Sequence, residues 1–164
     1  MESMFSSCKS LKELDLSNFN TSEVTNMESM FSGCESLKEF DLSNFDTNCI
    51  SNMNSMFSVC KSLIKINLSN FNTKYVDCFY YMFYFCLSLK NLDLSSFKNF
   101  RAKYFGNMFD YCTSLEELNI RNFINVNKIT FGNCHLLKKI IVSKEEFEKI
   151  KNNSSSNKLK FCCN

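Results

Sequence analysis

The sequence predicts an α/β fold built as a solenoid, with a parallel sheet along one side and short helices along the other. Two observations predict it. The pattern Leu-x-x-Leu-x-Leu-x-x-Phe at residues 11–19 returns at 37–45, 63–71, 89–97 and 115–123, a constant period of 26 residues, with Phe40 and Ile66 standing in the second leucine place and Ile120 in the third. After each pattern the apolar spacing changes from two to three or four, as in Val24, Met27, Met30, Phe31 and Cys34, which is the spacing of a helix face. Strand side chains alternate sides, so Leu14 and Leu16 face inward while Glu13, Asp15 and Ser17 face outward. A lone strand with one apolar face cannot bury it, and stacking on copies of itself is the physical solution.

In chain order, Met1-Glu-Ser-Met4-Phe5 repeats Met27-Glu-Ser-Met30-Phe31, so the sequence opens in the middle of a unit. Solenoid ends normally carry a polar cap, and an open end of this kind predicts either a fragment of a longer array or self-association at that end. Four full units follow, 11–36, 37–62, 63–88 and 89–114. Thr25 with Glu28 suggests a capping box for a short helix over 26–33. The column Phe19, Phe45, Phe71, Phe97 and Phe123 is expected to form a continuous aromatic spine. A shortened unit, 115–136, carries a smaller helix at 129–134, and the last strand is 137–142. Ser143 and Glu146 form a second capping box, opening a polar helix through Phe147 and Ile150. Composition then marks 152–157 as a loop. The expected organisation is thus a solenoid over 1–142 and a C-terminal capping helix and tail over 143–164.

Composition excludes several function classes. A net charge of +2 offers no basic footprint for nucleic acid. No apolar run reaches the roughly 20 residues of a membrane span. The first residues lack the basic and apolar regions of a secretory signal, which by itself predicts a cytoplasmic protein. The chain has one histidine, His135, so no second imidazole can share a metal or complete a proton relay. Gly33, Gly106 and Gly132 belong to no phosphate loop. The expectation is a protein that is not an enzyme and has no cofactor and no metal. Cys8, Cys34, Cys60, Cys86, Cys112 and Cys134 occupy one fixed place in the unit; reduced thiols packed as small hydrophobes are the first reading, with disulfides and zinc as its competitors.

Three groups remain as candidate sites. The outward strand positions include Glu13, Asp15, Glu39, Asp41, Asp93 and Glu117 against Lys65 and Arg121, with Asn67 between them. Six acidic residues against two basic ones predict an acidic concave face for a protein ligand with a basic patch. On the other side, Tyr80, Tyr81, Tyr84 and Phe85 replace the polar Glu28, Ser29, Ser32 and Gly33, with Tyr111 one unit on; exposed aromatic clusters mark interaction sites. The C-terminal pair Cys162 and Cys163 is similar to the paired-cysteine ends of prenylated GTPases, which would tether an intracellular scaffold to a membrane.

The whole unit, Leu-x-x-Leu-Asp-Leu-Ser-x-Phe-x-Thr followed by Val-Thr-Asn-Met-x-x-Met-Phe-x-x-Cys, resembles the BspA-like leucine-rich repeats of bacterial surface proteins and protist families, over residues 1–142. The resemblance implies a non-catalytic leucine-rich-repeat solenoid, at the cell surface or secreted, that binds host or matrix proteins. Phe19 and its equivalents stand where the general leucine-rich pattern has an asparagine ladder. Asn18, Asn44, Asn70 and Asn122 are therefore expected to serve the turn carbonyls.

Overall fold

In the computed structural model, which describes residues 1–98, 101–153 and 160–163, each unit lies beside the next in parallel. Glu39–Phe40 (β1) pairs with Lys65–Ile66 (β2). Asn91–Asp93 (β3), Glu117–Asn119 (β4), Lys139–Val142 (β5) and Lys160–Cys163 (β6) form a four-stranded parallel sheet in chain order. Leu92 stands opposite Leu118, and Leu118 opposite Ile140, so equivalent positions align and the inward column stays buried. The first strand pattern, at 11–19, joins neither sheet. The strands are short because each is ended by its own sequence. Asp41 accepts the Ser43 amide at 3.0 Å, and the Phe45 amide turns back to the Leu42 carbonyl at 3.0 Å.

The expected helices over 26–33 and 129–134 are absent. Lys144–Asn153 (α1) is the one α-helix among the described residues, alongside a 3-10 turn at Val126–Lys128. In place of a helix, residues 27–34 form overlapping turns whose amides alternate between two kinds of partner. Met27, Ser29, Phe31 and Gly33 donate to the carbonyls of Asn52, Asn54, Met56 and Ser58 in the next unit, at 2.7–3.0 Å; Met30, Ser32 and Cys34 donate back three residues within their own unit. Each turn needs a left-handed residue: Ser29 (φ 53°) and Gly33 (φ 74°), then Ser55 and Val59, Tyr81 and Phe85. Met27, Met30, Phe31 and Cys34 all point inward, which reproduces helical spacing without a helix. Glu28 closes no capping box. Its carboxylate accepts from Asn52 Nδ2 and Asn54 Nδ2, both at 2.9 Å, across the unit boundary.

Two aromatic columns run through the core. Phe71, Phe97 and Phe123 stack at 6.1 and 6.3 Å, part of the expected spine. The continuous spine is the other one, from the turn column: Phe5, Phe31, Phe57, Phe83, Phe109 and Phe131 stack in order at 5.5–6.0 Å, with interplanar angles of 1–17°. Burying a ring of this size is worth about 1.5–3 kcal/mol. At the first unit the same columns are only partly buried, at Phe5, Leu11, Leu14, Phe19 and Val24.

Polar side chains tie the units together in register. The buried hydroxyls of Thr21, Thr47 and Thr73 each donate to a carbonyl and accept an amide from the same residue of the next unit, Asp46, Asn72 and Lys98. Asn44 and Asn70 Nδ2 each reach three turn carbonyls of the preceding unit, and Asn122 reaches one, as expected. Ser96 does this for the fourth unit. The column cysteines are thiols: Cys34, Cys60, Cys86, Cys112 and Cys134 donate from Sγ to the carbonyls of Phe5, Phe31, Phe57, Phe83 and Phe109 at 3.0–3.3 Å.

At the C-terminus, the Ser143 hydroxyl accepts the Glu146 amide at 3.1 Å and caps α1. Asn152 and Asn153, assigned to a loop by composition, complete the helix; 154–157 lie outside the described residues. The Glu146 carboxylate turns inward to the Val126 amide at 3.1 Å and to Lys149 at 2.9 Å. Burial pushes its pKa up, but hydrogen bonds from Lys149, Val126 and Asn125 outweigh that and leave it below the ordinary 4.5. A carboxylate more acidic in the folded state stabilises the fold above the unfolded value and loses that contribution as the pH falls through the folded one. Glu146→Gln should therefore cost about 2 kcal/mol at pH 7, with the deficit shrinking below pH 4.5. Urea midpoints of both proteins between pH 7 and 3 would measure this.

Candidate interaction surfaces

On the strand face, the column of Asp15, Asp41, Asn67, Asp93 and Asn119 has a local task. Each side-chain Oδ1 accepts the amide two residues on, at 2.8–3.3 Å. Amide and hydroxyl of Ser17 hold the Asp15 carboxyl below its ordinary range, and hydroxyl and amide of Ser43 do so for Asp41. For Asp93 burial works in the opposite direction, but Ser95 and Asn119 overcome it. The neighbouring column of Glu13, Glu39, Lys65, Asn91 and Glu117 is exposed and runs from negative through positive and neutral back to negative. Glu39 faces Lys65 across the β1–β2 pair, and Glu117 meets Lys139 at 3.3 Å.

The acidic excess expected of this face is offset. Lys12, Lys38 and Lys65 line the same open hollow as Glu13, Glu39 and Asp41, together with Leu14, Phe40 and Asn67. Lys12 and Lys38 sit one place before the outward glutamates, a position that strand alternation assigns to the other face. Lys38 lies just before β1 and Lys12 in the first pattern, which joins neither sheet, so alternation binds neither and both are exposed. Arg121 is exposed near Asp93.

On the turn side, the structure brings Tyr80, Tyr81, Tyr84, Phe85 and Tyr111 into one cluster. Tyr80 stacks on Tyr81 at 5.6 Å, Tyr81 meets Tyr84 edge-on at 5.1 Å, and Phe85 stacks on Tyr111 at 4.3 Å. Tyr104 extends it, stacked on Tyr80 at 5.8 Å. Sequence reasoning missed Tyr104 because its equivalents, Asn26, Asn52 and Cys78, are bridge positions of the ladder. The signal was in the counts: all six tyrosines of the chain lie between 75 and 111. Gly106 makes room for the cluster, since a Cβ there would overlap the Tyr80 ring.

The family described as "Mycoplasma protein of unknown function, DUF285" matches residues 1–123, most of this repeat array. The chain belongs to that family. It is also similar, weakly, to a leucine-rich repeat protein from Bacteroides ovatus ATCC 8483, at 20% identity and a TM-score of 0.23, over 86% of this chain and 51% of that one. The chain thus spans about half the length of that protein. A comparison with curated proteins finds no match.

The other candidate residues of this DUF285 chain are dispersed. Cys162 and Cys163 lie on β6, paired with Ile141 and Val142 of β5, where a free tail was expected. His135 is exposed beside the buried Cys134. Among the described residues, no group of three or more histidine, cysteine or acidic side chains is placed to hold a metal ion, and no helix is long and apolar enough to cross a membrane. Burial pushes the Cys34 and Cys134 thiols up to about 11, and those of Cys60, Cys86 and Cys112 also upward. Thiols so far from ionising are poor nucleophiles.

Proposed function

We propose that this chain is a leucine-rich-repeat solenoid of the BspA-like class and acts, without catalysis, as a protein-binding module at the cell surface or in secreted form, engaging a protein ligand through its concave strand face. One observation carries the reading. The polar columns that hold the stack together keep their hydrogen-bonding type along it, Asp or Asn from Asp15 to Asn119 and Asn in all but one unit from Asn18 to Asn122, whereas the exposed column of Glu13, Glu39, Lys65, Asn91 and Glu117 passes from negative through positive and neutral back to negative. In repeat proteins, outward positions that the stack leaves unconstrained are where partner recognition resides. The mixed charge of the hollow beside that column fits a ligand with both signs of charge.

The double exchange Glu39→Lys/Lys65→Glu tests this cleanly, because it inverts the charge pattern while keeping the cross-strand attraction between the two positions. Wild type and exchanged protein would be passed over immobilised extracellular-matrix proteins. Saturable binding to at least one of them, weakened tenfold or more by the exchange with the unfolding midpoint unchanged, supports the reading. Binding to none of them, or binding indifferent to the exchange, refutes it.

A further inference from the structure

We propose that the tyrosine cluster is a docking site for a proline-rich segment of a partner protein in polyproline II conformation. Aromatic residues are segregated in this chain. Of its 18 phenylalanines the largest share forms the core, whereas all six tyrosines fall in two adjacent units. Tyr80, Tyr81, Tyr104 and Tyr111 are 37–51% exposed. The equivalent positions one unit earlier, Asn54, Ser55, Ser58 and Val59, carry no ring, so the cluster is confined to one stretch of the surface.

The walls of the cluster are ridged. Tyr84 stands at 82° to Tyr81 and 80° to Tyr111, while Phe85 and Tyr111 lie nearly parallel at 19°. Rings set at right angles present both faces and edges, against which a saturated ring packs. The main chain beneath offers little to a ligand: the amides of Tyr81, Tyr84 and Phe85 and the carbonyls of Tyr80, Tyr81 and Tyr84 are engaged in the ladder and turns. What remains for polar recognition is the phenol hydroxyls, and those of Tyr80, Tyr81, Tyr84 and Tyr111 form no hydrogen bond among the described residues.

Aromatic walls, hydroxyl donors and no formal charge define the complementary ligand. A polyproline II segment presents pyrrolidine rings and unpaired backbone carbonyls and, at each proline, no N–H to satisfy. A saccharide site pairs aromatic faces with carboxylate or amide side chains; Asp110, next in sequence to Tyr111, is buried and held by Asn107 and Gly132 at 2.7 Å each. A strongly charged peptide would find no countercharge among the rings. The chain contains no proline, so the segment must come from another protein.

The test uses the chain's own fluorescence, since without tryptophan all of its intrinsic emission above the phenylalanine band arises from residues 75–111. Titration of the full chain with a short oligoproline peptide should change tyrosine emission saturably, with Kd below about 1 mM. Tyr84→Ser/Tyr111→Ser should weaken binding at least tenfold, and Tyr84→Phe/Tyr111→Phe, which keeps the walls and removes two donors, severalfold. Glu39→Lys/Lys65→Glu should leave it unchanged, which separates this site from the strand face. No emission change with millimolar peptide overturns the proposal, as does binding unaffected by the phenylalanine pair. So does a concentration-dependent dimer that the serine pair abolishes in the absence of any peptide response, because the occupant would then be a second copy.

Discussion

Phe83→Ala should destabilise the stack by about 3–5 kcal/mol, the usual cost of truncating a buried phenylalanine. Phe83 is fully buried and lies between two rings of the turn-side spine, Phe57 at 5.5 Å and Phe109 at 6.0 Å. Its loss opens a cavity shared by two unit boundaries, and in a stack whose stability is a sum over neighbouring boundaries both are weakened. Phe5, at the first unit, is half-buried and has one spine neighbour, Phe31 at 5.7 Å. Phe5→Ala should therefore cost about half as much, following the apolar area it removes from water. Urea unfolding followed by circular dichroism would compare the two. Equal losses would mean that the spine does not act through its stacking.

Thr47→Val should cost about 3 kcal/mol, although it hardly changes side-chain volume. The Thr47 hydroxyl donates to the Asn72 carbonyl at 3.1 Å and accepts the Asn72 amide at 2.8 Å, in a site 2% exposed. Valine leaves both groups buried without a partner, each at about 1–3 kcal/mol. Thr47→Ser keeps the hydroxyl and should recover all but about 1 kcal/mol, the value of the lost methyl. Unfolding midpoints measure the cost, and hydrogen exchange at the Asn72 amide locates it: the amide should exchange faster in the valine variant alone. A valine variant as stable as wild type would show that the hydroxyl is not what ties these units together.

Much of this architecture was legible from spacing. A period of 26 residues and alternation around Asp15, Asp41 and Asp93 place the strand columns and the buried leucines, because alternation is a property of any extended chain. The asparagine column and the terminal cap were legible too, since Asn44 recurs at the repeat period and Ser143 acts on an amide three residues on. The helices were misread for a definite reason. Turns with a left-handed third residue, shared across the stack, place Met27, Met30, Phe31 and Cys34 on one side at the same intervals as a helix, and single-sequence periodicity cannot separate the two. The difference is where the amides of Ser29, Phe31 and Gly33 find their acceptors, and those lie in the next unit.

The candidate sites divide in the same way. The outward column from Glu13 to Glu117 and the run of tyrosines were visible in the sequence, because exposure on a strand and replacement of polar residues by aromatic ones are local facts. The tertiary structure alone decided that Lys12 and Lys38 share a hollow with the acidic residues, that Tyr104 joins Tyr80 over Gly106, and that Cys162 and Cys163 lie in a strand. Sequence by itself determined the unit, its period and its inward face, which follow from steric and hydrophobic rules along one chain. Which side chains of different units converge was settled only by stacking, because register between units is a long-range property that no single repeat encodes.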